Sequence, residues 1–141
     1  MRMLTTIQET IYLTQEIYAG SALYNVGGYA SLEGELNKRA LIRSIAYVLA
    51  NADILASGYD ITEIDLSDSD DPVRACLDWM HTDIHEPFDL NSRLFTVRIL
   101  KAQDRQYYWY VKAHHLVFDG YSMALFFNKV AAIYSIGVKQ E

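Results

Sequence analysis

One cysteine and two prolines are all that the 141 residues contain of either type, and no apolar run approaches the length of a membrane span. With Cys76 alone there is no disulfide framework and no cysteine-based zinc site. Pro72 and Pro87 stand apart, and no linker, internal repeat or low-complexity segment separates parts of the chain. Basic residues are short as well. Twelve Lys and Arg against eighteen Asp and Glu give a net charge of −6, which withholds the basic patch that a nucleic-acid surface needs. The want of a long apolar run argues against a membrane partner. Gln8, Glu9, Gln15 and Glu16 interrupt the first twenty residues and argue against a signal peptide, so a cytoplasmic setting is expected. What is present is a 51% apolar chain with 21% charge, one domain's worth of sequence able to build a real core.

Taken in order, Thr6 and Glu9 form a capping box, and Ile7, Ile11 and Tyr18 share one helical face. This spacing predicts a first helix to about Tyr18, stopped by Gly20 and Ser21. Residues 29–33 alternate, with Ala30 and Leu32 on one side and Tyr29, Ser31 and Glu33 on the other. They read as a half-buried strand entered through Gly27 and Gly28. Asn37 caps a second helix with the stripe Leu41, Ile45, Val48 and Leu49. Weaker strand signals fall between Ile54 and Leu66.

The acidic stretch 65–71 lacks the Gly and the terminal Glu of a calcium loop and reads as a solvated loop. Asp71-Pro72 is a cap followed by proline at the first helical position, opening a helix with the stripe Val73, Cys76, Leu77, Met80 and Ile84. His81 and His85 lie one turn apart on its flank. Thr82 stands where a zincin motif needs Glu, so a wet helix face is expected there, with no metal. Phe95, Val97 and Ile99 alternate in one strand, residues 103–105 turn, and 106–115 return antiparallel. Met123, Phe126, Phe127, Val130 and Tyr134 mark a last helix, with Gly137 after it.

The stretch that carries chemistry is Ala113-His114-His115-Leu116-Val117-Phe118-Asp119-Gly120-Tyr121-Ser122. Two histidines close an aromatic strand, and an Asp-Gly turn leads into a helix. A strand end fixes an imidazole, and the turn's Asp can tether the loop by its charge. By period two, His115 shares a face with Ala113, Val111 and Trp109, while His114 sides with Lys112 and Tyr110. Apolar surroundings would keep His115 neutral and able to act as a general base near neutral pH.

This His-His-x-x-x-Asp-Gly pattern resembles the signature of condensation domains of nonribosomal peptide synthetases, within the chloramphenicol acetyltransferase-like superfamily. Leu4 to Gln15 is similar to the family's first motif. Tyr24 to Tyr29 resembles the approach to its first strand, and Pro87-Phe88-Asp89-Leu90 followed by Leu94-Phe95 matches it too. The family's second motif, Arg-His-Glu-x-Leu-Arg-Thr, is represented by Asn51-Ala52-Asp53-Ile54-Leu55-Ala56-Ser57, without its arginines.

The resemblance implies an α/β (α+β) sandwich, a mixed sheet with four main helices packed on it. It also implies that residues 1–141 are the amino-terminal lobe of a two-lobed domain, without the carboxy-terminal one. In that setting His115 is the catalytic or positioning residue, and His114, Asp119 and Gly120 support the motif. Tyr121 and Ser122 are candidates for lining the channel, and an Arg partner for Asp119 has no recognisable match. The reaction implied is amide formation between acyl or peptidyl and aminoacyl thioesters on carrier proteins. The chain would bind no cofactor itself, because the substrates arrive on the carrier proteins' phosphopantetheine. Its partners would be peptidyl carrier proteins, other synthetase domains, the missing second lobe and a second copy of itself. Alone, the lobe is expected to be inactive. Two other readings stay open: a stand-alone acyl-CoA-dependent acyltransferase with an intersubunit site, and a non-catalytic docking module.

Overall fold

The computed structural model describes residues 11–17, 24–50, 59–86, 88, 93–114 and 120–139. The elements run β1 (Ile11–Ile17), β2 (Tyr24–Glu33), α1 (Lys38–Ala50), β3 (Asp60–Asp65), α2 (Pro72–Ile84), β4 (Phe95–Gln103), β5 (Gln106–His114) and α3 (Gly120–Lys139). The sheet order is β1-β2-β5-β4-β3. Among the described strands the β3–β4 pair is parallel and the other three pairs are antiparallel, so the sheet is mixed, as expected.

Alternation along the strands divides the core in two. Val26, Ala30 and Leu32 of β2, Phe95, Val97 and Ile99 of β4, and Tyr107, Trp109, Val111 and Ala113 of β5 face α1 and α3. Met123, Phe126, Phe127, Val130 and Tyr134 are the buried stripe of α3, and the Trp109 ring lies 4.3 Å from that of Phe127. Removing one such ring costs about 3–5 kcal/mol, so this aromatic cluster dominates the first core. The opposite face is covered by α2, whose Cys76 and Met80 pack on Leu100, Ala102, Tyr108 and Tyr110.

The local signals act as read. Asn37 Oδ1 accepts from the Ala40 amide at 3.0 Å and caps α1, and the Tyr134 hydroxyl accepts from the Asn37 amide at 3.1 Å, joining α3 to that cap. Asp71 accepts from the Arg74 amide, with Pro72 opening α2 behind it. In the acidic loop Asp65 accepts from the Ser67 amide at 2.9 Å, an ordinary turn. After β2 the chain turns through Gly34 at φ 108°, a conformation that favours glycine, and its amide donates to Arg105 O at 2.9 Å.

The first element differs from expectation. Residues 11–17, placed in a helix by the spacing of Ile7, Ile11 and Tyr18, form strand β1. Every residue from Ile11 to Ile17 finds a partner on β2, from Ile11↔Ala30 to Ile17↔Tyr24. The segment is rich in β-branched and aromatic residues (Ile11, Tyr12, Thr14 and Ile17), and pairing with a neighbouring strand outweighs a helical spacing in so short a stretch. The proposed cap at Thr6 lies outside the described residues, which contain three helices instead of the expected four. Two smaller shifts follow. Strand β2 begins at Tyr24, so Gly27 and Gly28 lie inside it, and α3 continues through Gly137 to Lys139.

Candidate functional site

A helix ends with carbonyls that have no partner within it, and α2 ends inside the protein. Two side chains from the sheet satisfy them. Asn25 Nδ2 donates to Ile84 O and to Glu86 O, both at 2.8 Å. Lys112 Nζ donates to Asp83 O at 3.0 Å and Glu86 O at 3.1 Å, and stands 3.4 Å from the Asp83 carboxylate. Its ammonium also lies 4.6 Å from the centre of the Phe88 ring, within cation–π range. A cation is well placed at the negative end of a helix.

These residues meet because of strand register. On β5, Tyr108, Tyr110, Lys112 and His114 share the α2 face, and Asn25 of β2 lies directly across from His114. Gly27 opposes Lys112. A Cβ on Gly27 would come within 2.5 Å of Ile84 Cδ1 and 3.1 Å of Val111 O, so a side chain there would press on Ile84 at the end of α2.

Lys112 is 5% exposed, Asn25 is fully buried and His114 is 1% exposed. Burial pushes the Lys112 ammonium below the ordinary lysine range. The Asp83 carboxylate opposes that shift, and the Arg98 guanidinium, on the next strand of the same face, adds to it. His114 is fixed from several sides: its amide donates to Leu94 O at 2.9 Å, and its ring lies 6.3 Å from that of Phe88 in an edge-on arrangement. The division of faces expected for β5 therefore holds through His114, with Trp109, Val111 and Ala113 in the opposite core.

Of the residues singled out in the sequence, His114 closes β5, Gly120 opens α3, and Tyr121 and Ser122 stand in its first turn. His115 and Asp119 lie outside the described residues, as does the 51–57 stretch. Asn25, Asp83, Phe88 and Lys112 were not recognised as site residues from sequence. The available signal was Lys112 itself, a lysine on a face of an aromatic strand that α2 then buries.

His81 and His85 lie on the open flank of α2 with ring centres 4.8 Å apart, and His85 Nδ1 is 2.6 Å from His81 O. Among the described residues no group of three or more His, Cys, Asp or Glu is placed to hold a metal ion. No described helix is long and apolar enough to cross a membrane.

Strand β5 thus ends in a buried, braced histidine, and α3 begins at Gly120. The condensation-domain family model matches residues 56–141, more than half of the chain. The chain belongs to the condensation-domain family. It is 28% identical to the isonitrile lipopeptide synthase of Streptomyces coeruleorubidus over 95% of its own length and 10% of that protein's. It is 25% identical to a dimodular nonribosomal peptide synthase of Bacillus subtilis strain 168, over 96% of this chain and 6% of that one. The crystal structure of the starter condensation domain of rhizomide synthetase RzmA superposes with a TM-score of 0.76 at 26% identity, covering 82% of this chain and 34% of that domain. The chain thus spans about a third of a solved condensation domain, and its sheet and helices are those of the chloramphenicol acetyltransferase-like half fold.

Proposed function

We propose that the chain is the histidine-bearing, amino-terminal lobe of a condensation domain, contributing one wall of a site completed by a second lobe. In that site the amine of an aminoacyl thioester on one carrier protein attacks the thioester carbon of an acyl or peptidyl group on another. The new C–N bond forms as the C–S bond breaks, the donor phosphopantetheine leaves as its thiol, and the amine gives up a proton. His115 either takes that proton or steadies the charged intermediate. His114, Asp119 and Gly120 hold the motif in shape, and Tyr121 and Ser122 line the channel.

The observation that carries this reading is the placement of His114: the first motif histidine ends β5 buried and braced. Peptidyl carrier proteins and neighbouring synthetase domains are the partners in this reading, with substrates delivered on phosphopantetheine, and its setting is cytoplasmic. Alone the lobe is inactive, because half the channel wall is absent and a poorly positioned base contributes little.

The test is amide formation between loaded carrier-protein pairs, with this chain alone and with a separately expressed carboxy-terminal lobe. Product only when both lobes are present is expected. Product from the chain alone, or none in any setting, would overturn the reading.

A further inference from the structure

We propose that Lys112 is a positioning residue of the condensation site, tying the carboxyl end of α2 to the strand end that carries His114. The inference rests on the condensation reading for its functional consequence, whereas the tether itself is geometry.

A lysine facing outward on a sheet would be expected to run to water. Here the ammonium is turned inward, against the Asp83 and Glu86 carbonyls, the Asp83 carboxylate and the Phe88 ring. Burying a lone ammonium is costly, and it persists only where partners of this kind meet it. The partners come from α2 and the segment after it, 26 and 29 residues away in sequence, so the contact joins two elements that local sequence does not join.

What Lys112 holds lies next to the motif. It and His114 are alternate residues of one strand on one face, roughly 7 Å apart along it. Asn25, across the strand pair from His114, donates to Glu86 O, the same carbonyl that accepts from Lys112. Phe88 is in reach of both the ammonium and the His114 ring. One cation therefore fixes the α2 end, the Phe88 ring and the face of β5 on which His114 sits. Its action on the reaction runs through His114 and the strand end, which His115 follows in the chain.

The experiment has two arms. In the first, the chain is labelled with 15N-histidine, and the His114 ring resonances, assigned with His114→Gln, are compared for wild type, Lys112→Met and Lys112→Arg. Lys112→Met is expected to shift the His114 resonances and to speed amide exchange in the last turn of α2 at least tenfold. Lys112→Arg, which keeps the charge and the donors, is expected to lie near wild type. In the second arm, the chain with its carboxy-terminal lobe is assayed for amide formation. Lys112→Met is expected to lower kcat at least tenfold with KM within twofold, and Lys112→Arg to recover most of the loss.

Unchanged His114 resonances and exchange in Lys112→Met would overturn the tether. Shifted resonances with unchanged kcat, or equal losses in Met and Arg, would overturn the positioning role. If wild type forms no amide under any pairing, the condensation reading fails and takes the positioning role with it, while the first arm still decides the tether. Should Lys112→Met not fold, Asp83→Asn replaces it, keeping the carbonyl acceptors and removing the countercharge. A smaller kcat loss with the same KM is then expected, and no loss would overturn the proposal.

Discussion

Replacing Asn25 with alanine removes both 2.8 Å bonds to the end of α2 at once. Each bond contributes a net of about 1 kcal/mol, and a buried carbonyl that loses its donor adds about 1–3 kcal/mol. Glu86 O keeps Lys112 as a donor at 3.1 Å, so Ile84 O bears most of that penalty. The expected destabilisation is about 3–5 kcal/mol, or roughly 10–17 °C in Tm for a domain of this size. Asn25→Asp sharpens the test because it keeps the shape and replaces the donor with an oxygen. At pH 7 it sets a carboxylate oxygen against two carbonyls and should cost more than alanine. The repulsion and burial raise the folded-state pKa of the new carboxyl above its unfolded value. Its penalty relative to wild type should therefore shrink as pH falls toward 4, where the protonated acid donates again. Urea unfolding of the three proteins at pH 7 and pH 4.5 measures both effects. Asn25→Ala within 0.5 kcal/mol of wild type, or Asn25→Asp equal to wild type at pH 7, would refute the reasoning (thresholds on the order of measurement error).

Other consequences follow from single contacts. Gly27→Ala places a Cβ 2.5 Å from Ile84 Cδ1 and 3.1 Å from Val111 O, and should cost about 1–3 kcal/mol by thermal melt. Adding Ile84→Val, which deletes that terminal carbon, should return part of the loss, and a double variant less stable than Gly27→Ala would argue against the clash. Asn37→Ala removes the cap bond to the Ala40 amide and should cost about 1 kcal/mol, against a few tenths for Asn37→Gly. Burial pushes the Cys76 thiol up from 9.0 to about 11, which lowers its thiolate population at pH 8 about a hundredfold. Labelling by a thiol reagent should be at least that much slower in the native chain than in urea, and equal rates would count against a buried Cys76. Because the folded pKa is the higher one, the stability tied to this thiol is fully present below pH 9 and is lost as pH rises through about 11.

The elements set by local chemistry were legible in the sequence. Asp71-Pro72 and Asn37 mark helix starts by hydrogen bonds within four residues, and the alternation of Phe95, Val97 and Ile99 needs only a sheet with one buried side. The hairpin and the aromatic stripe of α3 are read the same way. Residues 11–17 were not legible, because the spacing that suits a helix also fits a strand once β2 offers a full ladder. The brace around His114 was hidden for a related reason. Asn25 meets Ile84 O across 59 positions of sequence, and nothing near Asn25 announces that helix end. Lys112 was assigned to the correct face, but only the packing of α2 shows that the face is closed. The motif itself was legible through family resemblance, since composition and periodicity alone supply a strand, a turn and a helix without a reaction.

The most direct test of the functional reading is single-turnover amide formation by the two-lobed domain carrying His115→Ala, with carrier loading measured separately. The account expects the rate to fall at least a hundredfold, within the range for loss of a general base, while loading and the stability of the lobe stay as in wild type. A rate within twofold of wild type would contradict it and leave the His-His-x-x-x-Asp-Gly stretch as a structural turn.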